Sequence, residues 1–253
     1  MHPSQKILAL KGVSPALWSY YPSLTLPSLR RSRPYSEGHA AAFAELKLDG
    51  HQKPTKLFTF SVRTATGAKL HVVEIDHTPD PPFVKKAVDV YFPPEATNDF
   101  PVAVQVSKKH GIIYLVTKYG FIHLDDLESG ACVYMNRTSG ETTFVTAEHE
   151  ATNGIIGVNM KGQVLSVNVD EQTIVPYILS VLNNTELALK LSSRANLPGA
   201  DELYAQQYNQ LFQSGQYSEA AKIAANSPRR ILRTAQVIEV FKSAPAQAGG
   251  LSP

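Results

Sequence analysis

Short runs of apolar and β-branched residues, separated by turns, fill the middle of this chain. Three runs stand out, at 57–62, 112–116 and 155–158. Each run is followed, across a turn that contains glycine, by a second segment, and these segments resemble one another: TGAKLHVV at 66–73, KYGFIHL at 118–124 and MKGQVLSV at 160–167. A spacing of about 40–50 residues between such strand pairs is typical of the blades of a β-propeller. A glycine in each turn supplies the positive φ that a tight hairpin requires.

The alternation of apolar and polar positions predicts about three antiparallel four-stranded sheets between residues 40 and 170. The expected strands of the first sheet lie at 42–48, 57–62, 69–75 and 87–91. Those of the second lie at 102–106, 112–116, 121–127 and 132–134. Those of the third lie at 143–146, 155–158 and 163–169. The pattern thus indicates two blades and most of a third, which is a partial, open propeller.

The hydrophobic period changes after Asp170 from about 2 to about 3.6, as expected for helices. Ile174, Ile178 and Leu182 follow this spacing, and a further amphipathic helix is expected to end at Gly215. An Ala-rich helix is predicted at 218–226, and another is predicted to start at the Ser-Pro pair 227–228. Short helices joined by tight turns predict an α-solenoid, that is, a series of helical hairpins.

The first residues of the chain lack a regular pattern. Residues 1–36 are rich in proline and serine, and the aromatic stretch 18–22 has no obvious strand partner. This composition favours an irregular segment. We therefore predict three parts: an irregular segment at 1–36, a partial β-propeller at 37–171 and an α-helical linker at 172–253.

Composition narrows the classes of function. The net charge of +2 is too small to indicate nucleic acid as a partner. One cysteine, Cys132, cannot form a disulfide within the chain, which favours the cytoplasm. No apolar run reaches the length of a membrane span, and the polar N-terminus does not resemble a secretory signal.

No motif indicates an enzyme, a cofactor or a metal site. His123 before Asp125 and Asp126, and His149 between two glutamates, are the only candidates for acid–base or metal chemistry, and we expect neither role for them. Two alternatives stay open beside a structural, peptide-binding role. One is an enzyme on a propeller scaffold, and the other is a non-functional truncated gene product.

Several longer strings resemble the clathrin heavy chain family. They are KKAVDVYFPPEA at 85–96, NDFP at 98–101, YMNR at 134–137, SGET at 139–142, EAT at 150–152, GIIGVN at 154–159, KGQVLSV at 161–167, YSEAAK at 217–222 and ILRT at 231–234. The resemblance covers roughly residues 37–253, together with the pair Gln5-Lys6. It implies the second half of the family's N-terminal propeller and the start of its helical linker. The first three blades of the family's propeller have no counterpart, which favours a truncated or mis-spliced gene.

The resemblance also implies a function. Members of this family are structural components of the coat on coated pits and vesicles, on the cytoplasmic face of the membrane, and they support endocytosis and intracellular protein transport. Their propellers bind short linear peptides of adaptor proteins, so membrane attachment is peripheral. The light chain and the heavy-chain trimer are partners of the full-length protein only.

One peptide groove of the family lies between the fourth and fifth blades. Lys85 matches a basic residue that lines this groove, and Lys86 follows it, so both are candidate peptide-binding residues. The alternative for both is a solvated loop charge. The facing loop, where the family has a glutamine-containing turn, reads Arg-Pro-Tyr-Ser at 33–36 and departs from that pattern.

Overall fold

The chain folds as sheets followed by helices in the computed structural model. The structure describes residues 8–11, 17–21, 34–36, 38–48, 51, 53–64, 67–75 and 81–243. The chain divides into two compact units, Met1–Asp170 and Glu171–Pro253. The first unit contains the strands and the second contains the helices.

Strands occupy most of the first unit. They are β1 Leu8–Lys11, β2 Leu17–Tyr21, β3 Pro34–Ser36, β4 Gly38–Leu46, β5 Thr55–Thr64, β6 Gly67–Glu74, β7 Lys86–Val90, β8 Pro101–Ser107, β9 Ile112–Thr117, β10 Phe121–Asp126, β11 Cys132–Arg137, β12 Thr143–His149, β13 Gly154–Asn159 and β14 Val164–Val167. The sheet orders are β1-β2-β3, β4-β5-β6-β7, β8-β9-β10-β11 and β12-β13-β14, and every pairing is antiparallel.

The sheets follow one another like propeller blades. The first strand of one sheet, β8, lies against both β4 and β12, the first strands of its neighbours. Two sheets have four strands and the last has three, followed by helices from Ile174. This confirms the prediction of a partial propeller of about three blades followed by helical hairpins.

The main core lies between the sheets β4–β7 and β8–β11. It joins Leu57 and Leu70 of one sheet with Val104, Ile113 and Leu115 of the next. All six residues of β9 are buried, so this strand packs on both of its faces. A fully buried Leu or Ile side chain contributes about 1.5–3 kcal/mol, so this apolar layer is what holds the two sheets together.

The segment expected to be irregular contains strands. β2 pairs with β1 on one side and with β3 on the other, so the stretch from Trp18 does have strand partners. Aromatic residues favour strands, and the prolines are no obstacle because Pro34 begins the edge strand β3, where no ladder donor is required. The prediction of an irregular 1–36 is therefore wrong for these strands, and the rest of that segment lies outside the described residues.

Five α-helices form the described part of the second unit: α1 Ile174–Ser180, α2 Thr185–Ala195, α3 Ala200–Gln213, α4 Tyr217–Ala225 and α5 Ala235–Ser243. The small residues Ala220 and Ala224 on α4 pack beside Tyr208 of α3, and Phe241 of α5 joins this cluster. Gly215, with φ 76°, follows the end of α3 as expected. No helix among residues 174–243 is long and apolar enough to cross a membrane.

The helix expected from Ser227 is shorter than predicted. Pro228–Arg230 forms only a 3₁₀ turn, and α5 begins later, at Ala235. Arg229 and Arg230 both have positive φ, which interrupts the helix. The Ser227 hydroxyl accepts a hydrogen bond from the backbone N–H of Leu232 and thereby closes this turn.

Candidate peptide-binding edge

The predicted site residues lie at the start of β7, the edge strand of its sheet. β7 pairs with β6 on one side only, in a register that places Lys86 opposite Val72 and Ala87 opposite His71. Successive residues of a strand point to opposite faces. Lys85 and Lys86 are therefore adjacent in the chain but lie in different surroundings.

Lys85 is exposed and lies close to His71. His71 stacks on Phe60, with ring centroids 5.0 Å apart. Burial, together with the charges of Lys85 and Lys69, lowers the pKa of His71 to about 4. The imidazole is therefore neutral at physiological pH, and the positive charge on this face comes from the lysines.

Lys86 is half-buried at the junction of two sheets. The turn between β10 and β11 contains Gly130, which has φ 76°. A Cβ atom at Gly130 would lie 2.9 Å from Cγ1 of Val88 and 3.6 Å from Cβ of Lys86. The glycine thus allows the next sheet to approach β7 closely, and Lys86 lies beside that contact.

The facing loop of the expected groove is partly described. Residues 34–36 form β3, which pairs with β2, where the family pattern predicts a turn. Arg33 lies outside the described residues. A groove that joins Lys85, Lys86 and this loop therefore stays a prediction.

The structure places His149 and its neighbouring acidic residues in separate local contacts. Among the residues that the structure describes, no group of three His, Cys, Asp or Glu side chains could hold a metal ion. Nδ1 of His149 contacts the hydroxyl of Thr152 at 2.9 Å. One of its flanking glutamates, Glu148, pairs instead with Lys108, at 3.0 Å.

β10 carries buried titratable groups. Burial lowers the pKa of His123 to about 4, and its ring meets Phe92 edge-on at 6.3 Å. Burial raises the pKa of Asp125 to about 7, with a hydrogen bond from Cys132 acting against the shift and the charge of Asp126 adding to it. His123 is only 2% exposed and Asp125 only 5%, so a substrate could not reach either group.

A basic surface at the other end of β7 was missed by reasoning on the sequence. Arg63 and Lys118 both lie over the ring of Phe100, at 5.5 and 5.2 Å from its centroid, and Arg137 lies over Phe121 at 5.7 Å. These residues are far apart in sequence and show no charge cluster along the chain. The one signal in the sequence is that Arg63 and Lys118 each come shortly before a glycine of the repeated turn, Gly67 and Gly120.

Three family profiles match consecutive parts of the chain. They are the clathrin propeller repeat at residues 136–170, the clathrin heavy-chain linker at 171–194 and the clathrin H-link at 196–253. The boundary between the first two coincides with the boundary between the two structural units.

Curated relatives match almost the whole chain. The clathrin heavy chain of Drosophila melanogaster is 54% identical over 253 residues, covering 99% of this chain and 15% of that protein. Clathrin heavy chain 2 of Homo sapiens is 55% identical, covering 98% of this chain and 15% of that protein. The probable clathrin heavy chain of Schizosaccharomyces pombe is 52% identical over 218 residues, or 86% of this chain and 13% of that protein.

The similarity begins earlier than the sequence strings indicate. Alignments that cover 98–99% of the chain include most of residues 1–36, so the expectation of a match from about residue 37 onward is wrong. The strings that carry the resemblance lie in residues 37–253, and no comparable string was recognised in residues 1–36.

Proposed function

The chain belongs to the clathrin heavy chain family, and from this premise we propose that it acts as a structural part of the coat of vesicles and coated pits. It spans about 15% of the length of the curated relatives it matches. The observation that carries the proposal is 54% identity over 99% of the chain, across both the sheets and the helices. In such a role, the propeller unit binds adaptors and the helical unit continues into the scaffold.

A structural role is favoured over an enzyme on a propeller scaffold. Catalytic acids and bases must reach a substrate atom, directly or through one water molecule. His123 and Asp125, the candidates for acid–base chemistry with shifted pKa values, are buried among the strands instead. Their pKa shifts therefore reflect burial in the core rather than a site of chemistry.

The partners in this proposal are adaptor proteins that carry short linear motifs. An extended peptide can lie along a sheet edge or between two sheets, and side-chain pockets then supply specificity. The start of β7 combines an exposed lysine, Lys85, with the junction beside Lys86. A single contact of this kind is weak, and many copies in a coat make it effective.

Location follows from the same proposal. The chain would act at the cytoplasmic face of coated pits and vesicles and would attach to the membrane through adaptors. The light chain and the heavy-chain trimer would belong to the longer members of the family.

Peptide titrations test the proposed site. The full 253-residue chain is titrated into a fluorescein-labelled adaptor peptide of the type that binds the groove between the fourth and fifth blades, and anisotropy is recorded. We expect weak saturable binding that Lys85→Glu abolishes, because the substitution reverses the charge at the edge. Lys222→Glu, the same change on α4 in the other unit, is the matched control and should leave binding unchanged.

A second titration uses a clathrin-box peptide in place of the first adaptor peptide. Its groove lies between the first two blades of the family's propeller, so we expect no measurable binding to this chain. Tight, saturable binding of that peptide would contradict the assignment of the three sheets to the second half of the propeller. Equal binding by the wild type and Lys85→Glu would contradict the role of Lys85.

A further inference from the structure

Two cations lie over one aromatic ring just before the sheet β8–β11, and a third cation lies over the ring of Phe121 in that sheet. We call this the Phe100 surface, and it consists of Phe100, Arg63, Lys118, Tyr119 and Arg137. The guanidinium of Arg63 and the ammonium of Lys118 lie 5.5 and 5.2 Å from the centroid of the Phe100 ring. Arg63 comes from the end of β5 and Lys118 from the turn after β9, so the surface bridges two neighbouring sheets.

The turn that carries Lys118 is held in place by hydrogen bonds. The backbone N–H of Lys118 donates to the carbonyl of Phe100 at 2.9 Å, and that of Tyr119 donates to Oδ1 of Asp99 at 3.0 Å. Nε of Arg137 donates to the carbonyl oxygens of Tyr119, at 3.1 Å, and of Ser139, at 3.2 Å. These bonds hold the turn and the guanidinium of Arg137 in place before any ligand arrives, which reduces the entropy lost on binding.

The cations of the surface form no ion pairs, because the nearby Asp99 carboxylate accepts from the backbone N–H groups of Tyr119 and Phe100 instead. Two other lysines at this end are paired, Lys69 with Asp89 and Lys161 with Glu141. Arg63, Lys118 and Arg137 form no ion pair with any carboxylate among the described residues, and the Nη groups of Arg137 donate to no described atom. Cation–π contact orients a guanidinium on a ring and leaves its N–H edge available for a carboxylate.

We propose that the Phe100 surface binds an acidic, extended peptide segment of a protein partner. Carboxylates match the arginine N–H groups, because the planar guanidinium can bind both oxygens at once. The exposed ring of Tyr119 and the half-exposed ring of Phe100 offer apolar contact between the charges. A membrane is a poorer match, because recognition of anionic lipids typically uses clusters of about 4–8 basic residues.

This site is independent of the peptide edge at the start of β7. Arg63 lies opposite Ala68, which in turn lies opposite Val90 at the end of β7, whereas Lys86 begins that strand. The two sites can therefore be tested separately, and the failure of one leaves the other intact.

Anisotropy titrations test the proposal. The probe is a short fluorescein-labelled peptide of alternating aspartate and leucine, titrated with the full chain. We expect saturable binding that weakens with salt, and a loss of about tenfold or more in affinity for Arg63→Ala and for Lys118→Ala, since a hydrogen bond to a charged group contributes about 1.5–3 kcal/mol. Arg137→Lys keeps the charge but removes the planar guanidinium that can bind both carboxylate oxygens. We therefore expect an intermediate loss of affinity.

Matched controls separate site binding from general charge attraction. Lys108→Ala removes one charge at the opposite end of β9, in the turn before Ile112, and should leave affinity unchanged. A peptide with asparagine in place of aspartate should not bind, and circular dichroism should show the same fold for every variant.

Three results would overturn the proposal. One is equal affinity of the wild type and the three surface variants. Another is an equal loss for Lys108→Ala, which would indicate unspecific attraction. The last is binding to phosphatidylinositol bisphosphate vesicles, reduced by Lys118→Ala, without binding to the acidic peptide, which would assign the surface to a membrane.

Discussion

Two glycines of the repeated turn share a left-handed backbone conformation but differ in how closely other atoms approach them. Gly120, between β9 and β10, has φ 83°, and Gly162, between β13 and β14, has φ 76°. Both are in the left-handed region that side chains disfavour, as the repeat predicted. They differ in the room available for a side chain. A Cβ at Gly120 would lie 2.1 Å from the carbonyl oxygen of Ser139, whereas a Cβ at Gly162 would have no atom within 4 Å.

Alanine at these two positions should therefore have unequal effects. Gly162→Ala should lower the free energy of unfolding by about 1–2 kcal/mol, the cost of a left-handed alanine. Gly120→Ala should lower it by more, because the backbone of Ser139 must also move. Urea unfolding of both variants measures this, and equal losses would contradict the close approach at Gly120.

At the scale of elements, β10 is a strand whose stability depends on pH. All six of its residues are buried, and they include His123 and Asp125. The pKa of Asp125 is raised to about 7, so the folded state favours its protonated form. Stability from this group is fully present below its ordinary pKa of 3.8 and is lost as pH rises toward 7. The folded state favours the neutral form of His123, whose pKa is lowered to about 4. The stability that this group contributes is therefore present above its ordinary pKa of 6.5 and is lost as pH falls toward 4.

Asp125→Asn should therefore stabilise the chain increasingly with pH. The amide cannot ionise, so the gain in unfolding free energy over the wild type should grow by up to about 1.4 kcal/mol per pH unit and level off above about pH 7. Urea midpoints compared near pH 5 and near pH 8 measure this. Below about pH 4 the two proteins should differ only by packing. A gain that is independent of pH would contradict the raised pKa of Asp125.

At the scale of the whole molecule, the first unit ends in a sheet with uncovered apolar side chains. Phe144, Val145 and Val164 of this sheet, and Met160 in the turn after β13, are between 49% and 71% exposed. The register aligns Val145 with Val158 and Val158 with Val164, so one apolar row crosses all three strands. A blade normally packs between two neighbours, which would cover such a row.

This uncovered row should bind a hydrophobic dye. We expect fluorescence enhancement with the wild-type chain, a tendency to aggregate, and partial helicity of residues 172–242 when the sheets unfold. Val145→Thr combined with Val164→Thr should reduce the dye signal, whereas Val181→Thr, at an exposed valine of the helical unit, should not. A monomer with a sharp cooperative melt and no dye binding would contradict the prediction.

The order of elements could be read from the chain because it depends on local pattern. Alternation and repeated glycine turns predicted β4 to β14, and the change of period after Asp170 predicted helices. The local pattern of apolar and polar residues did not predict the elements that are very short. β1 to β3 lie between prolines, and the left-handed residues Arg229 and Arg230 replaced an expected helix by a 3₁₀ turn.

The sequence by itself determined the fold class and the family, because periodicity and long family-specific strings lie along the chain. Only the tertiary structure decided which distant residues share a surface. It separated Lys85 from Lys86 on the two sides of a strand edge, and it brought Arg63 and Lys118 onto one ring. The physical reason is that charge and burial depend on neighbours in space, and sheet packing creates those neighbours from segments that are remote in sequence.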